Sequence, residues 1–398
     1  MSRILICWEL GGNLGHVMRL LPLARILRVQ GHAIVWAFSK THSVAWQLVT
    51  AEGFVCHSVE RENTPPISSV LSLSYGQNLL KNGYSHGDNL KNQLLIWRSL
   101  FLSAKPDMII AEHAPTALIS ARSMNIPRAV TGTGFTIPPL STPMPSLHPW
   151  LNIPRHTLAE KEAEFLAAVN PALESSGHSF LTSAADIFTG AELFLCTWPE
   201  FDHYSDRKEP FYFGPITESV AGIFADWPSS GRDNIFAYIG FQNRNLLSLL
   251  AALGKLGLPV YAVIPGLSKD DIQALSSPSI RITDSPVSLE DVSNNCCLAI
   301  TEAGHNTTSQ LLLNAVPILL FPSQLEQQLL AYRLASQHLC SMVSIFDTTP
   351  DMESKIRGLI NDNSLRENIG ALAQKYAASD NSQRIRIIAE KCIAILER

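Results

Sequence analysis

The first forty residues alternate between buried-strand and helix patterns around glycine turns. Apolar runs at 4–8 and 33–38 flank a segment whose apolar residues recur every three or four positions. A glycine-rich turn at 11–15 precedes this segment, and Gly31 follows it. Two buried strands that are joined by a single helix run parallel to each other, because the helix carries the chain back to the end of the sheet where the first strand began. The chain is therefore predicted to begin with a βαβ unit of a parallel sheet.

The strand and helix rhythm continues and then restarts after Phe213-Gly214-Pro215. The total of 398 residues exceeds a typical single core, so two domains are expected. We predict an α/β protein with two Rossmann-like parallel-sheet domains, residues 1–214 and 215–398, that face each other across a cleft. The further predicted strands lie at 107–111, 193–196, 235–239, 260–264, 280–282 and 297–300.

Composition excludes several classes of protein. Hydrophobic residues make up 46% of the chain and charged residues 16%, as in a folded globular protein. A net charge of -5 provides no basic surface for nucleic acid. The seven cysteines include no CxxC pair, which favours free thiols over disulfides or a zinc site. No apolar run reaches the length of a membrane span and none at the start matches a signal peptide, so we expect a cytoplasmic protein.

Residues 300–331 carry the strongest chemical signal. A buried strand runs into Ala303-Gly304 and then into a predicted helix that opens with Asn306-Thr307. The unpaired amides and the dipole of a helix N-terminus favour an anion such as phosphate. An ordinary helix cap by Asn306 or Thr307 is the alternative. Glu326-Gln327 could hydrogen-bond sugar hydroxyls, or could simply begin a solvated helix.

Other chemistries find less support in the residues. The glycine turn of Gly11, Gly12 and Asn13 lets a ligand approach the backbone, but it lacks the spacing of a dinucleotide-binding fingerprint. There is no nucleophile elbow and no phosphate loop that ends in Gly-Lys-Ser/Thr. The twelve histidines are dispersed, so no metal site is predicted.

The order of the motifs resembles nucleotide-sugar glycosyltransferases of the GT-B fold, in the bacterial macrolide and UDP-glucuronosyl-like group. That family's pattern is His-Gly-Gly-x-Asn-Thr-x-x-Glu, then Gly-Val-Pro, then Pro…Asp/Glu-Gln-x-x-Asn-Ala. The corresponding segments here are 302–310, 315–317 and 322–331. Gly15-His16-Val17 and Gly31-His32 also resemble the family's first βαβ unit, and 213–216 its entry to the second domain.

The resemblance implies a metal-independent, inverting glycosyltransferase with no cofactor. The N-terminal domain would bind a small or lipid-like acceptor, and the C-terminal domain a sugar linked to UDP or dTDP. His16 would be the general base with Glu112 as its partner, where the family usually has Asp. An imidazole suits this work at neutral pH, and a carboxylate on its other nitrogen fixes the tautomer. Alternatively, His16 is only a polar residue of a first helical turn.

The remaining site residues also follow from the resemblance. His113 and Phe135 are candidate acceptor contacts, together with the proline-rich segment 135–154 and the region of Trp198, Asp202 and His203. The last helix is expected to pack on the first domain. The donor residues would be Gly12, Asn13, Gly240, Glu302, Ala303, Gly304, His305, Asn306, Thr307, Gln310, Glu326 and Gln327.

Three departures from the family pattern bear on the donor site. Glu302 replaces the His that contacts phosphate, and a carboxylate repels a diphosphate unless it is protonated, paired or metal-bound. Gln310 replaces a Glu, and Leu330 an Asn. His305 could compensate, or could be an ordinary exposed residue. A catalytically degenerate GT-B binding protein and a GT-B nucleotide-sugar epimerase therefore remain alternatives to a transferase.

Overall fold

The computed structural model describes residues 1–12, 14–61, 71–205, 207–208, 211–217, 222–348 and 350–398. The chain divides into two compact units. Unit 1 comprises Met1–Trp198, Tyr204–Ile216 and Asn381–Arg398, and unit 2 comprises Pro199–His203 and Thr217–Asp380. Asn13, a predicted donor residue, lies outside the described residues.

Unit 1 contains a six-stranded parallel sheet in the order β3-β2-β1-β4-β5-β6. The order reverses between β1 and β4, and ligands of such sheets bind where the strand order reverses. The strands are β1 Arg3–Trp8, β2 Ala33–Phe38, β3 Val55–Ser58, β4 Met108–Glu112, β5 Arg128–Gly132 and β6 Glu192–Leu195. The helices are α1 Gly15–Val29, α2 Ser43–Ala51, α3 Tyr75–Leu79, α4 Gly87–Ala104, α5 Pro115–Ser123 and α6 Arg155–Ser175.

The sheet of unit 1 has a hydrophobic core on each face. Successive side chains of a strand point to opposite faces, and β1 divides its residues accordingly. Ile4, Ile6 and Trp8 join the core that includes α1, whereas Leu5 and Cys7 join the core that includes α4 and α5. This double burial explains why the strands are continuously apolar rather than alternating.

Unit 2 repeats this architecture with the order β12-β11-β10-β7-β8-β9, so its strand order reverses between β7 and β10. The strands are β7 Asn234–Tyr238, β8 Val260–Val263, β9 Ile280–Thr283, β10 Cys296–Thr301, β11 Ile318–Leu320 and β12 Ser341–Met342. The helices are α7 Leu246–Leu256, α8 Lys269–Leu275, α9 Leu289–Asn295, α10 His305–Leu313, α11 Leu325–Ala335, α12 Met352–Ile360 and α13 Asn363–Tyr376. The predicted α/β class with two Rossmann-like parallel sheets is confirmed.

Two short segments belong to a different unit from the residues that precede them in the sequence. The last helix, α14 (Asn381–Leu396), belongs to unit 1, where Ile385, Ile388 and Cys392 are buried in the core that includes α1. Residues 199–203 belong to unit 2, where the Glu200 carboxylate accepts from Lys375 Nζ at 2.5 Å and from the Tyr376 hydroxyl at 2.7 Å. Within the described residues, every helix is too short or too polar to cross a membrane.

Candidate active site

The two predicted catalytic residues meet where the strand order of unit 1 reverses. His16 lies in the first turn of α1, and Glu112 ends β4. His16 Nδ1 lies 2.9 Å from Glu112 Oε1. The His16 side chain is 12% exposed and that of Glu112 is fully buried. A carboxylate on Nδ1 selects the tautomer that carries its proton there, which leaves the Nε2 lone pair able to accept a proton.

The Glu112 carboxylate is held by two further donors. Arg19 Nη1 donates to Oε1 at 2.7 Å, and Thr131 Oγ1 donates to Oε2 at 3.2 Å. Burial by itself raises the pKa of Glu112, but Arg19 and His16 outweigh it and the pKa lies below the ordinary value of 4.5. Glu112 is therefore ionised at neutral pH and fixed in orientation.

The imidazole of His16 lies over the backbone of Gly11. A Cβ atom added to Gly11 would lie 2.3 Å from His16 Nε2, and Gly11 has a φ of +87°. Both the contact and the left-handed backbone require glycine here. His16 Nε2 thus lies against the backbone of Gly11, where no side chain comes between them. Gly12 is exposed, and a Cβ atom added there would meet nothing within 4 Å.

Trp8 lies between two imidazole rings. Its ring centroid is 5.2 Å from that of His16 and 4.2 Å from that of His42, with interplanar angles of 27° and 18°. The indole Nε1 donates to the Leu10 carbonyl at 2.8 Å, which fixes the ring. Burial, followed by the nearness of His16, lowers the pKa of His42. His16 therefore has an aromatic face beside it and a neutral imidazole beyond.

His113 is strained and buried beside His16. It has a φ of 44° and its ring centroid lies 6.1 Å from that of His16 and 6.1 Å from that of Phe135. Burial, with His16 second, lowers the pKa of His113 to about 3. Neither ring nitrogen has a hydrogen-bond partner among the described residues. The strained backbone and the unsatisfied ring nitrogens make His113 a candidate functional residue.

In unit 2, the turn after β10 exposes the N-terminus of α10. Ala303 has a φ of 62°, a left-handed conformation that costs an alanine about 1–2 kcal/mol. Gly304 is the N-cap residue and α10 begins at His305. The alternative that Asn306 or Thr307 caps the helix is therefore wrong, since both lie inside its first turn. A glycine N-cap brings no side chain to the first-turn amides, which suits an anion.

Glu302 occupies the point where the strand order of unit 2 reverses. Its Oε1 accepts from Asn243 Nδ2 at 2.7 Å, and a Cβ atom added to Gly240 would lie 3.7 Å from each carboxylate oxygen. Asn243 also donates to the Phe321 carbonyl at 3.3 Å. Within the described ranges no Lys or Arg forms an ion pair with Glu302. Asn243 orients the carboxylate but, being neutral, does not compensate its charge.

His305 is buried rather than exposed, so the interpretation as an ordinary surface residue is wrong. It is 8% exposed, and its ring centroid lies 6.2 Å from that of Phe201 and 6.4 Å from that of His203. Asp202 and His203, considered above with the acceptor pocket, belong to unit 2 and are buried. This group of rings lies beside the first turn of α10, on the donor side of the predicted site.

The remaining donor candidates lie on α10 and α11. Asn306, Thr307 and Gln310 are partly buried, and Asn306 Oδ1 is buried without a hydrogen-bond partner in the described part of the chain. Gln327 Oε1 accepts from Ser323 N at 2.8 Å and from Ser323 Oγ at 2.9 Å. The oxygen of Gln327 thus fixes the turn before α11. The NH2 group of Gln327 could donate a hydrogen bond to a ligand. Glu326 lies in the first turn of α11.

Three residues of these sites were not predicted from the sequence. Arg19 follows His16 by three positions, which places both side chains on one face of a helix. Trp8 is the last residue of β1, and ligands of open α/β sheets bind at the carboxyl ends of the strands. Asn243 lies three residues after Gly240, and its bond to Glu302 joins two segments that only the fold brings together.

No protein-family model matches the chain, and no curated protein matches its sequence. Solved structures do match its fold. The glycosyltransferase VinC in complex with dTDP is 16% identical with a TM-score of 0.70, over 100% of both chains. SnogD from Streptomyces nogalater is 17% identical with a TM-score of 0.62, over 98% of this chain and 99% of that one.

A third match is the spinosyn rhamnosyltransferase SpnG complexed with spinosyn aglycone. It is 14% identical with a TM-score of 0.67, over 98% of this chain and 100% of that one. These similarities extend over nearly the whole chain in each case, although the sequences have diverged widely. The chain therefore has the same GT-B fold as these glycosyltransferases, which confirms the predicted fold.

Proposed function

We propose that this protein is an inverting glycosyltransferase that moves a sugar from a nucleoside-diphosphate donor to a hydroxyl of a small or lipid-like acceptor. The observation that carries the proposal is the buried His16–Glu112 pair where the strand order of unit 1 reverses. The pair has the geometry of a general base oriented by a carboxylate. The fold supports the proposal, since VinC was solved with dTDP and SpnG with an aglycone.

The proposed step begins at His16 Nε2. This nitrogen takes the proton of the acceptor hydroxyl while the hydroxyl oxygen forms a bond to the anomeric carbon. The bond from that carbon to the diphosphate oxygen breaks, and its electron pair leaves with the diphosphate. Attack opposite the leaving group inverts the anomeric carbon. Glu112 stabilises the imidazolium that forms and does not take the proton itself.

The proposed acceptor contacts lie next to the base. His113 has a pKa of about 3, so it is neutral at pH 7 and serves as a hydrogen-bond partner rather than as an acid or base. Phe135 packs edge-on against it at 6.1 Å and supplies apolar surface. A neutral imidazole beside an aromatic ring suits an acceptor that combines a hydroxyl with an apolar body.

The proposed donor site is the turn from Glu302 to Thr307. The first-turn amides of α10 would bind the diphosphate, whereas the Glu302 carboxylate would weaken that binding by repulsion. Asn306 and the NH2 group of Gln327 supply polar contacts for the rest of the donor. A site of this kind holds the donor through amides and dipoles, and we propose that no metal ion takes part.

A second candidate function is supported by Glu302 itself. Its carboxylate faces the neutral Asn243 and no cation among the described residues, so a diphosphate would meet an uncompensated negative charge. A GT-B protein that has lost donor binding, and serves to bind a ligand or partner, would tolerate this substitution. The intact His16–Glu112 pair favours the transferase.

A calorimetric screen with dTDP, UDP and GDP, each with and without EDTA, tests the transferase directly. The transferase predicts saturable binding of at least one nucleotide, unaffected by EDTA. His16→Ala should bind the same nucleotide with the same affinity. If none of the three nucleotides binds to the wild-type protein, the degenerate binding protein is the better account.

A further inference from the structure

Arg19 joins His16 and Glu112 in a buried group of three. Its Nη1 donates at 2.7 Å to Glu112 Oε1, the same oxygen that faces His16 Nδ1 at 2.9 Å. The Arg19 side chain is 5% exposed and that of Glu112 is fully buried. One carboxylate oxygen therefore serves an imidazole and a guanidinium together. Arg19 and His16 reach it from one face of α1, being three residues apart.

We propose that Arg19 is a positioning residue. It fixes the Glu112 carboxylate against His16 and lowers the proton affinity of the His16–Glu112 pair. As a consequence, His16 remains unprotonated, and able to accept a proton, down to a lower pH than in a His–carboxylate pair without the arginine. This catalytic consequence rests on the proposed transferase, whereas the effect on proton affinity does not.

The charges of the group explain the effect. An ionised carboxylate and a neutral imidazole carry one negative charge together, which a proton cancels. With the guanidinium added, the resting group is neutral and the protonated group carries a buried positive charge. A buried charge is poorly screened, and a like charge nearby disfavours the protonated form. Removing the guanidinium should therefore make the pair bind a proton more tightly.

Four other titratable groups near the pair, among the residues that the structure describes, are neutral near pH 7. His42, at the start of α2, and His113, after β4, both have lowered pKa values because they are buried and lie near His16. Tyr75 of α3 faces Glu112, and burial raises its pKa. Burial likewise raises the pKa of Cys196, after β6, to about 12. Arg61 and Arg384 act on His113 and Cys196, whereas Arg19 contacts the pair directly through Glu112.

The geometry of the carboxylate gives Arg19 a second effect. Glu112 Oε2 accepts from Thr131 Oγ1 at 3.2 Å, so the two oxygens are held by donors on both sides. With Arg19 in place the carboxylate cannot rotate away from His16 without losing a charge-assisted hydrogen bond. The orientation of the imidazole is thereby fixed before substrate binds, which is what a positioned base requires.

The test is an NMR titration of the His16 ring in the full-length protein, with His16→Ala used to identify the signal. Arg19→Gln removes the charge but can still donate a hydrogen bond, and Arg19→Lys keeps the charge. Arg25→Gln is the matched control, because Arg25 is on the same helix but pairs with Glu52. The midpoint read is that of the coupled His16–Glu112 pair.

We expect Arg19→Gln to raise the midpoint by about one pH unit, a tenfold gain in proton affinity. Arg19→Lys and Arg25→Gln should stay within about 0.3 units of wild type. The inference is overturned if Arg19→Gln leaves the midpoint unchanged or lowers it, or if Arg25→Gln shifts it equally.

The titration contains no substrate, so it separates this inference from the proposed function. A shifted midpoint in a protein that transfers no sugar would support the role of Arg19 and refute the transferase. An unshifted midpoint in an active transferase would do the reverse. In an active enzyme, the acid limb of the pH profile of kcat/KM should shift to higher pH in Arg19→Gln, together with the midpoint. In Arg19→Lys it should return to the wild-type pH.

Discussion

Gly11→Ala should disable His16 without removing any side chain of the site. The added Cβ would lie 2.3 Å from Nε2 and 3.0 Å from Cε1 of His16. An unstrained contact needs about 3.5 Å, so the ring must move by about 1 Å. That movement strains the 2.9 Å contact between His16 Nδ1 and Glu112 Oε1. A displacement of this size at a catalytic group costs roughly 10²-fold in rate.

Backbone strain must be separated from this displacement. Gly11 has a φ of +87°, and an alanine in a left-handed conformation costs about 1–2 kcal/mol in the free energy of unfolding. Gly31, after α1, has a φ of +89°, but a Cβ atom there would meet nothing within 4 Å. Gly31→Ala is therefore the matched control, with similar strain and no contact to His16.

Two assays distinguish the variants. Thermal unfolding should show similar losses for Gly11→Ala and Gly31→Ala, roughly 2–4 °C for each kcal/mol. Only Gly11→Ala should change the His16 ring signals in NMR spectra and lower the transfer rate. Equal rates and unchanged His16 signals in the two variants would show that Nε2 of His16 does not lie against Gly11.

Three further predictions address other parts of the two sites. Because the pKa of Glu112 lies below 4.5 in the folded protein, its charge stabilises the fold above that pH. The stability advantage of wild type over Glu112→Gln should be full near pH 7 and shrink as the pH falls below about 4.5, as read from urea unfolding; a constant difference would contradict it. Glu302→Gln should tighten dTDP binding about fivefold in calorimetry at low salt, with a smaller gain at 1 M NaCl; unchanged or weaker binding would give the carboxylate a positive role. His113→Asn, which tolerates a left-handed backbone, should raise the acceptor KM about tenfold and leave the Kd of dTDP unchanged; an unaltered KM would remove His113 from the acceptor site.

The sequence predicted the fold and most of the strands because buried parallel strands leave a strong pattern, but it did not predict β3, β5 and β12. The apolar runs at 4–8 and 33–38 and the glycines between them follow from backbone geometry and burial alone. The pairing of His16 with Glu112 was implied by the family resemblance, and residues 96 positions apart could not have been joined by pattern. Local rules were least reliable at the turn after β10.

At that turn, tertiary contacts rather than the local sequence pattern determine where α10 begins and what its neighbouring side chains contact. Asn306 and Thr307 are good capping residues, but the chain turns at Ala303 and the helix begins at His305. His305 is buried by Phe201, which comes from a distant segment that joins unit 2. The contact of Glu302 with Asn243 likewise depends on β10 pairing with β7.

We propose His16 as the base of a sugar transfer. The most direct measurement incubates wild type and His16→Ala with dTDP- and UDP-sugars and a panel of hydroxylated aglycones, and follows product by mass spectrometry. Wild type should give a product heavier by one sugar, with the anomeric configuration inverted. His16→Ala should form almost none of it while binding the nucleotide as tightly as wild type. Equal product from His16→Ala, or a product with retained configuration, would rule out an inverting transfer in which His16 is the base.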